Sequence, residues 1–253
     1  MSGVDFIPSD AGGLLWEAVD PMDERELLLL GRDERGIPYF VREAVRGRRV
    51  DARSRTVMRF LPMLSQQDLA VYGGARSLVD WHARHGFCAV CGHETAVFRA
   101  GWGRNCGHCN AEHFPRVDPV VIMLAEHDGK VLVARQPGFP PASYSALAGF
   151  VEPGESLEEA VARELFEEAG IRVRDVRYLA SQPWPFPSSL MVACTAITDD
   201  PTITLDETEL EAAMWVDKAE VRAALAGDMD APFVAPPPLA IARHLLANWV
   251  GMA

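Results

Sequence analysis

Four of the five cysteines have the spacing of a metal site. They form two Cys-x2-Cys pairs, Cys88/Cys91 and Cys106/Cys109, with fourteen residues between the pairs. Such pairs place four thiolates around one tetrahedral cation, most often zinc. Two disulfides are the alternative, but an acidic chain whose N-terminus lacks the features of a signal peptide favours a reducing compartment. Because four sulfurs leave no open coordination position, we expect a structural zinc ion that takes no part in chemistry.

The second group of reactive side chains is a run of glutamates on a predicted helix. A capping box at positions 156–159 and a helix-ending Gly170 predict a helix over Leu157–Ala169. On a helical wheel Glu164 and Glu168 lie one turn apart, on the apolar stripe itself. A lone carboxylate is costly on a buried face, and a divalent cation bound between two carboxylates offsets that cost. Ligands that are all oxygen favour Mg²⁺ or Mn²⁺.

A longer pattern of 23 residues surrounds these glutamates. Its nine fixed positions are Gly149, Glu155, Arg163, Glu164, Leu165, Glu167, Glu168, Gly170 and Ile171. With them the chain resembles the Nudix hydrolases, whose signature, the Nudix box, has this spacing. Shortly after the box, the sequence from Ser181 to Met191 is similar to the signature of the NADH pyrophosphatase branch of that family, which also carries a four-cysteine zinc ribbon. Ribbon, box and signature cover roughly residues 86 to 253.

The resemblance implies hydrolysis of the pyrophosphate bond of NAD(H), giving nicotinamide mononucleotide and AMP. It implies that Arg163 and Glu155 form an orienting ion pair and that Glu167, at the edge of the helix, is a third metal ligand beside Glu164 and Glu168. Glu168 is the single best candidate for the general base. The magnesium or manganese ligands that it implies also include the backbone carbonyl of Ala148 and the side chain of Glu209.

The same resemblance implies a dinucleotide pocket. Phe114, where the family commonly has tyrosine, and Phe150 are expected to stack on a base, and Ala242 to contact the nucleotide from the last helix. Arg59 corresponds to a substrate-binding arginine by counting back from Cys88. The other expected contacts lie in one proline-rich segment, Gln182, Pro183, Trp184, Pro185, Phe186, Pro187, Ser188 and Ser189. Composition alone favours a simpler interpretation of that segment, a stiff extended loop with two packed aromatic rings.

These residues require elements that hold them in place. The resemblance predicts an α+β chain, with a Nudix α/β/α sandwich built on a mixed sheet over residues 116–253. A zinc ribbon at 87–115 and a small N-terminal α+β domain at 1–86 precede it. Apolar runs at Val120–Glu126 and Val131–Arg135 flank an Asp-Gly turn and predict a hairpin.

Other elements are predicted from local signals. Further strands are expected at Ile171–Ala180, Leu190–Thr198 and Met214–Val216, and a last helix at Leu239–Trp249 after three prolines. In the N-terminal domain a helix is expected to begin after Ser65 and to stop at Gly86.

Charge and hydropathy exclude some classes of protein. With a net charge of −12 the chain lacks the basic surface of a general nucleic-acid or anionic-membrane binder. No apolar run approaches the roughly 18 residues of a membrane span. We therefore expect a cytoplasmic enzyme with no membrane partner, and the family suggests a homodimer.

Three functions are alternatives to hydrolysis of NAD(H). They are removal of an NAD cap from RNA 5′ ends, hydrolysis of other ADP-linked dinucleotides such as ADP-ribose, and the role of a non-catalytic zinc-ribbon adaptor. The intact glutamate set argues against the adaptor.

Overall fold

The computed structural model describes residues 13–20, 22, 26–42, 57 and 60–252. Arg59 lies outside the described residues. The chain divides into two compact units. The first unit comprises Met1–Val117 and Pro183–Ser189, and the second comprises Asp118–Gln182 and Leu190–Ala253.

In its described residues, the first unit contains two small antiparallel sheets and one long helix. Its elements are strands β1 (Leu27–Arg32) and β2 (Pro38–Arg42), helix α1 (Gln66–Arg84), and strands β3 (Thr95–Phe98), β4 (Gly103–Cys106) and β5 (Glu112–His113). The hydroxyl of Ser65 accepts a hydrogen bond from the backbone N–H of Asp68 at 3.0 Å, which confirms the predicted start of α1. The helix ends at Arg84, two residues before the predicted stop at Gly86.

The second unit is built on a six-stranded sheet. Its strands are β6 (Asp118–His127), β7 (Lys130–Arg135), β8 (Leu147–Phe150), β9 (Arg174–Trp184), β10 (Ser189–Ile197) and β11 (Ala212–Asp217). The order in the sheet is β11-β7-β6-β10-β9, and β8 also pairs with β6. His127 pairs with Lys130 across the Asp-Gly turn, which confirms the predicted hairpin.

Helices cover both faces of this sheet. They are α2 (Leu157–Ala169), α3 (Lys218–Ala226) and α4 (Ile241–Trp249). Side chains alternate between faces along a strand, so Val121 and Met123 of β6 face one way and Ile122 and Leu124 the other. The first pair packs in a cluster with residues of α2, and the second pair packs with residues of α3 and α4. This arrangement confirms the predicted α+β class and the α/β/α sandwich. Among the described helices, none is both long and apolar enough to span a bilayer.

Several boundaries differ from the sequence prediction. The proline-rich segment is only in part a loop, because β9 continues to Trp184 and β10 begins at Ser189, which leaves a four-residue turn at 185–188. Pro183 is tolerated in β9 because that strand lies at the edge of the sheet. β9 starts three residues later than predicted, at Arg174, and α4 starts two residues later, at Ile241. Helix α3 was not predicted, although Asp217 and Glu220 form a capping box at its start.

Candidate active site and metal centre

The helix that carries the glutamates is fixed at both ends by local interactions. The Ser156 hydroxyl accepts a hydrogen bond from the Glu159 N–H at 3.2 Å, and the Glu159 carboxylate accepts one from the Ser156 N–H at 2.8 Å. Gly170 ends the helix in the left-handed region, at φ 72°. The predicted bounds of α2, Leu157–Ala169, are confirmed. The register of the helix therefore sets which glutamates point towards the sheet.

Glu164 lies directly against the backbone of β8. Its side chain is buried, and a Cβ atom placed on Gly149 would come within 1.8 Å of its carboxyl carbon. No side chain fits in that gap, so the first glycine of the Nudix box is needed for the close approach of helix and strand. Gly149 thus positions Glu164 beside Ala148, the predicted carbonyl ligand, which pairs with Ile122 of β6.

Arg163 locks the loop before the helix to the helix itself. Its guanidinium donates to the carboxylates of Glu155 at 2.9 Å, Glu164 at 2.8 Å and Glu167 at 2.9 Å, and to the Phe150 carbonyl at 2.8 Å. Hydrogen bonds from Arg163 lower the pKa of Glu155 to about 2, so this carboxylate is ionised at neutral pH. The pair predicted between Arg163 and Glu155 is confirmed.

Glu168 is the most perturbed carboxyl group at the site. It is 3% exposed, and within the described part of the chain its Oε2 atom has no hydrogen-bond partner. Burial raises its pKa to about 8, and the negative charges of Glu164, Glu209 and Asp206 add to the shift. Burial likewise raises the pKa of Glu164, although Arg163 acts against the shift. Two buried acids with an unpaired oxygen fit a site for a divalent cation, which would stabilise both negative charges.

A turn between β10 and β11 brings a further acid towards this helix. The Asp206 N–H donates to the Glu168 carbonyl at 3.0 Å, and the Glu209 N–H donates to the Asp206 carbonyl at 3.1 Å. Glu209 is exposed and lies close enough to raise the pKa of both buried glutamates. Helix α2 and this turn therefore hold three carboxylates close enough to interact through their charges, and carboxylate oxygens are the ligands that hard cations prefer.

The four paired cysteines converge in the first unit. Their sulfur atoms all lie within 4.8 Å of one another, and the shortest distances are 3.5 Å between Cys91 and Cys106 and 3.6 Å between Cys88 and Cys109. A disulfide would bring two sulfurs to about 2.05 Å. Zn–S bonds of about 2.3 Å in a tetrahedron instead place sulfurs about 3.8 Å apart. The donor set and its geometry therefore fit zinc and exclude the disulfide alternative.

Residues next to the cysteines shape this metal centre. Gly92 and Asn110, which follow the second cysteine of each pair, both have left-handed backbone, at φ 77° and 59°. Each donates its N–H back to the carbonyl of the first cysteine of its pair, at 2.9 Å. The Nε2 atom of His113 lies 3.3 Å from the Cys88 sulfur. A ring N–H in that position supports a zinc-bound thiolate without binding the metal, a contact that spacing alone did not reveal.

The aromatic residues predicted to stack on a base are both accessible. Phe114 is 49% exposed and Phe150 is 59% exposed, as a stacking surface requires. Phe114 belongs to the first unit, where the Arg99 guanidinium lies 5.1 Å from its ring centre. The side chain of Ala242 is instead buried in the core beneath α4, so its contact with a nucleotide would have to be made by the backbone.

Two residues of the proline-rich segment are engaged with the protein itself. The Gln182 amide donates to the Leu239 carbonyl and accepts from the Ile241 N–H, both at 2.9 Å, so it caps the start of α4. Phe186 is buried, and its ring packs on the guanidinium of Arg76. Sequence reasoning missed Arg76 because an arginine inside a predicted helix is normally a solvated residue.

Comparison with known proteins assigns two domain types to the chain. The model of the NUDIX domain matches residues 115–235, and the model of the NADH pyrophosphatase zinc ribbon domain matches residues 83–114. The chain is 42% identical over 200 residues to the human protein named NAD-capped RNA hydrolase NUDT12, an alignment that covers 75% of this chain and 43% of that protein. It is 46% identical over 183 residues to the NAD-capped RNA hydrolase NudC of Mycobacterium bovis, covering 69% of this chain and 58% of that protein.

The Arabidopsis thaliana protein named Nudix hydrolase 19, chloroplastic, is 38% identical over 234 residues, covering 75% of this chain and 53% of that protein. The chain thus spans about half the length of the curated relatives that it matches.

The sandwich fold and the glutamate helix, together with the zinc-type thiolate module, fit these two domain types. The chain therefore contains a NUDIX domain preceded by an NADH pyrophosphatase zinc ribbon domain.

Proposed function

We propose that this protein hydrolyses the pyrophosphate bond of NAD(H), with Mg²⁺ or Mn²⁺ as cofactor, and releases nicotinamide mononucleotide and AMP. The observation that carries the proposal is the buried pair Glu164 and Glu168 on the Nudix-box helix, with its unpaired carboxylate oxygen. Burial of two carboxylates costs free energy of folding, and in a protein that only binds other proteins nothing would offset that cost. The relatives named NAD-capped RNA hydrolases support a dinucleotide substrate.

The metal ligands that we propose are Glu164, Glu168, Glu209 and the Ala148 carbonyl. A divalent cation supplies Lewis-acid stabilisation of the phosphate charge and lowers the pKa of water. Arg163 keeps Glu164 in position while it holds Glu155 and the preceding loop. Glu167, on the exposed side of the Arg163 cluster, completes the set of charges at the edge of the helix.

Glu168 is also our candidate for the general base. Its carboxylate oxygen Oε2 has no hydrogen-bond partner among the described residues, so it is free to accept a proton from a water molecule bound beside the cation. Hydrolysis then transfers the water oxygen to one phosphorus, breaks the bond from that phosphorus to the bridging oxygen, and leaves two phosphomonoesters.

Substrate recognition would come from two exposed rings and the segment 182–189. Phe114 and Phe150 have the exposure needed to stack on a base, and phenylalanine in place of tyrosine at 114 keeps the ring face and loses the hydroxyl. In the segment we expect Trp184, Pro185 and Ser188 to line the pocket, while Gln182 and Phe186 hold its shape. Arg59 and Ala242 stay predicted contacts.

Cleavage of an NAD cap from an RNA 5′ end is the second candidate, and the names of two relatives favour it. The chemistry is the same, because the cap contains the same pyrophosphate bond. A net charge of −12 opposes a strong grip on the RNA body, so we expect recognition of the cap itself.

We further propose three domains, at 1–86, 87–115 and 116–253, and a cytoplasmic homodimer. Four thiols that serve as metal ligands suit a reducing compartment. The homodimer follows from the resemblance to the NADH pyrophosphatase branch of the family.

One comparison tests the proposed function. Turnover of NADH, NAD⁺, ADP-ribose and an NAD-capped RNA is measured with Mg²⁺ at equal concentrations. We expect cleavage of NADH or NAD⁺ with AMP as a product. Cleavage of ADP-ribose alone would refute the assignment to NAD(H), and cleavage of capped RNA alone would favour the second candidate.

A further inference from the structure

A fully buried arginine lies in the middle of helix α1. Arg76 is 0% exposed, and guanidinium stays charged at any pH that a protein tolerates. Among the described residues it forms no ion pair, and its two terminal nitrogen atoms have no hydrogen-bond partner. Burial of a charge in this way lowers stability, and an apolar side chain of similar length would avoid the cost. Stability of the fold therefore does not explain Arg76.

Within the described part of the chain, the hydrogen bond and the ring contact that Arg76 makes are both with the turn at 185–188. Its Nε donates to the Pro185 carbonyl at 3.1 Å, and its guanidinium carbon lies 5.6 Å from the centre of the Phe186 ring. One turn earlier on the same helix, a Cβ placed on Gly73 would meet the Pro185 ring at 3.8 Å, an ordinary packing distance. The face of α1 formed by Gly73 and Arg76 therefore receives the tip of the turn.

The turn has few hydrogen bonds of its own. Prolines at 185 and 187 have no N–H, so two of the four backbone donors of the turn are missing. The Phe186 N–H bonds the Trp184 carbonyl at 2.9 Å, and the Ser188 hydroxyl bonds the Arg116 carbonyl at 2.9 Å. The Pro185 carbonyl at the tip depends on Arg76, which lies 109 residues away in sequence.

We propose that Arg76 is a positioning residue that fixes the shape of the segment 183–189 for dinucleotide binding. This inference rests on the proposed function, because that function assigns the segment to the substrate pocket. Arg76 acts through Pro185 and Phe186 and has no contact with the reacting atoms. Its charge is retained because a planar cation can donate to the carbonyl and stack on the ring at once.

The test uses the full-length protein and three variants. Arg76→Met keeps the length of the side chain and removes the donor and the charge, whereas Arg76→Lys keeps a charge and one donor without the planar face. Arg84→Met is the matched control, since Arg84 lies on the same helix, is exposed and pairs with Asp80. For each protein, kcat and KM for NADH, the melting temperature, the zinc content and hydrogen exchange of peptides covering 66–84 and 182–190 are measured.

We expect Arg76→Met to raise KM about tenfold, the loss that one hydrogen bond from a charged group produces, with kcat within a factor of about three. Its melting temperature should stay equal or rise, and exchange should become faster at 182–190 but not in α1. Arg76→Lys should fall between Arg76→Met and the wild type, and Arg84→Met should keep the wild-type KM and the wild-type exchange at 182–190, although its melting temperature falls because buried Asp80 loses its partner. A KM unchanged in Arg76→Met would overturn the proposal.

A purely structural role predicts a different set of results. In that case Arg76→Met would lower the melting temperature and speed exchange in both peptides, or both Arg76 variants would fail to fold, and either result overturns the proposal. If the wild type cleaves no dinucleotide, the proposed function fails, and the exchange data alone decide whether Arg76 orders the segment. If the wild type cleaves NADH and segment 182–190 exchanges equally in all variants, only the positioning role fails.

Discussion

Replacement of Glu168 by glutamine separates the catalytic role of this residue from its effect on stability. Glutamine keeps the shape of the side chain and removes one ligand charge and the candidate base. We expect kcat to fall on the order of 10²-fold or more, the loss found when a key electrostatic group is removed from an active site. The matched control is Glu158→Gln on the same helix, because Glu158 is exposed and should leave kcat unchanged.

Although Glu168→Gln should lower kcat, it should make the metal-free protein more stable than the wild type at pH 8. The pKa of Glu168 is raised from 4.5 to about 8 in the folded, metal-free protein, so between these values the folded state binds more protons than the unfolded state. The free energy of unfolding therefore decreases as pH rises through this window, by about 2 kcal/mol between pH 6 and pH 8. Glu168→Gln has no proton to lose and should lack this decrease.

The assay is urea unfolding at pH 6 and pH 8 after dialysis into buffer without Mg²⁺, with the zinc content verified. Added Mg²⁺ should restore the stability of the wild type at pH 8 and leave that of Glu168→Gln nearly unchanged. The reasoning is refuted if Glu168→Gln keeps full activity, or if both proteins lose the same stability between the two pH values.

Three other predictions follow from the two metal centres and the helix packing. Brief treatment with EDTA should abolish activity while zinc and the circular dichroism spectrum are retained, since the proposed Mg²⁺ site exchanges freely; full turnover in excess EDTA would contradict the metal mechanism. Gly149→Ala should displace the Glu164 carboxylate, because the new methyl group would overlap it, and should lower kcat roughly 10²-fold in a folded protein; an unchanged kcat would show that the close approach is not needed. Cys106→Ser should give substoichiometric zinc, a lower melting temperature and a raised KM, with much of the kcat kept by the folded fraction. Normal zinc and stability with abolished kcat would instead place the ribbon metal in the reaction.

The parts of the site that local sequence determines could be predicted. Helix α2 begins and ends at interactions between residues that are close together in the sequence, so the capping box and Gly170 are sufficient to define it. The same is true of the hairpin at 127–130 and of the cysteine pairs, where spacing limits the geometry. From the helix alone it followed that Glu164 and Glu168 are buried, and the structure agrees.

Features that depend on distant contacts could not be predicted. Gln182 caps a helix almost sixty residues further along, and nothing near it in the sequence indicates that role. Arg76 contacts Pro185 only because the chain folds back on α1. The strand continues into the proline-rich segment because β9 is at the edge of the sheet, a position that the order of strands determines.

The central claim, cleavage of the pyrophosphate bond of NAD(H) at the Glu164 and Glu168 centre, is tested most directly by ³¹P NMR of the products formed from NADH and Mg²⁺. The wild type should convert the pyrophosphate resonances into two phosphomonoester resonances of equal area, those of AMP and reduced nicotinamide mononucleotide, and Glu168→Gln should do so far more slowly. Persistence of the pyrophosphate resonances with the wild type, or release of nicotinamide with the pyrophosphate intact, would contradict the claim.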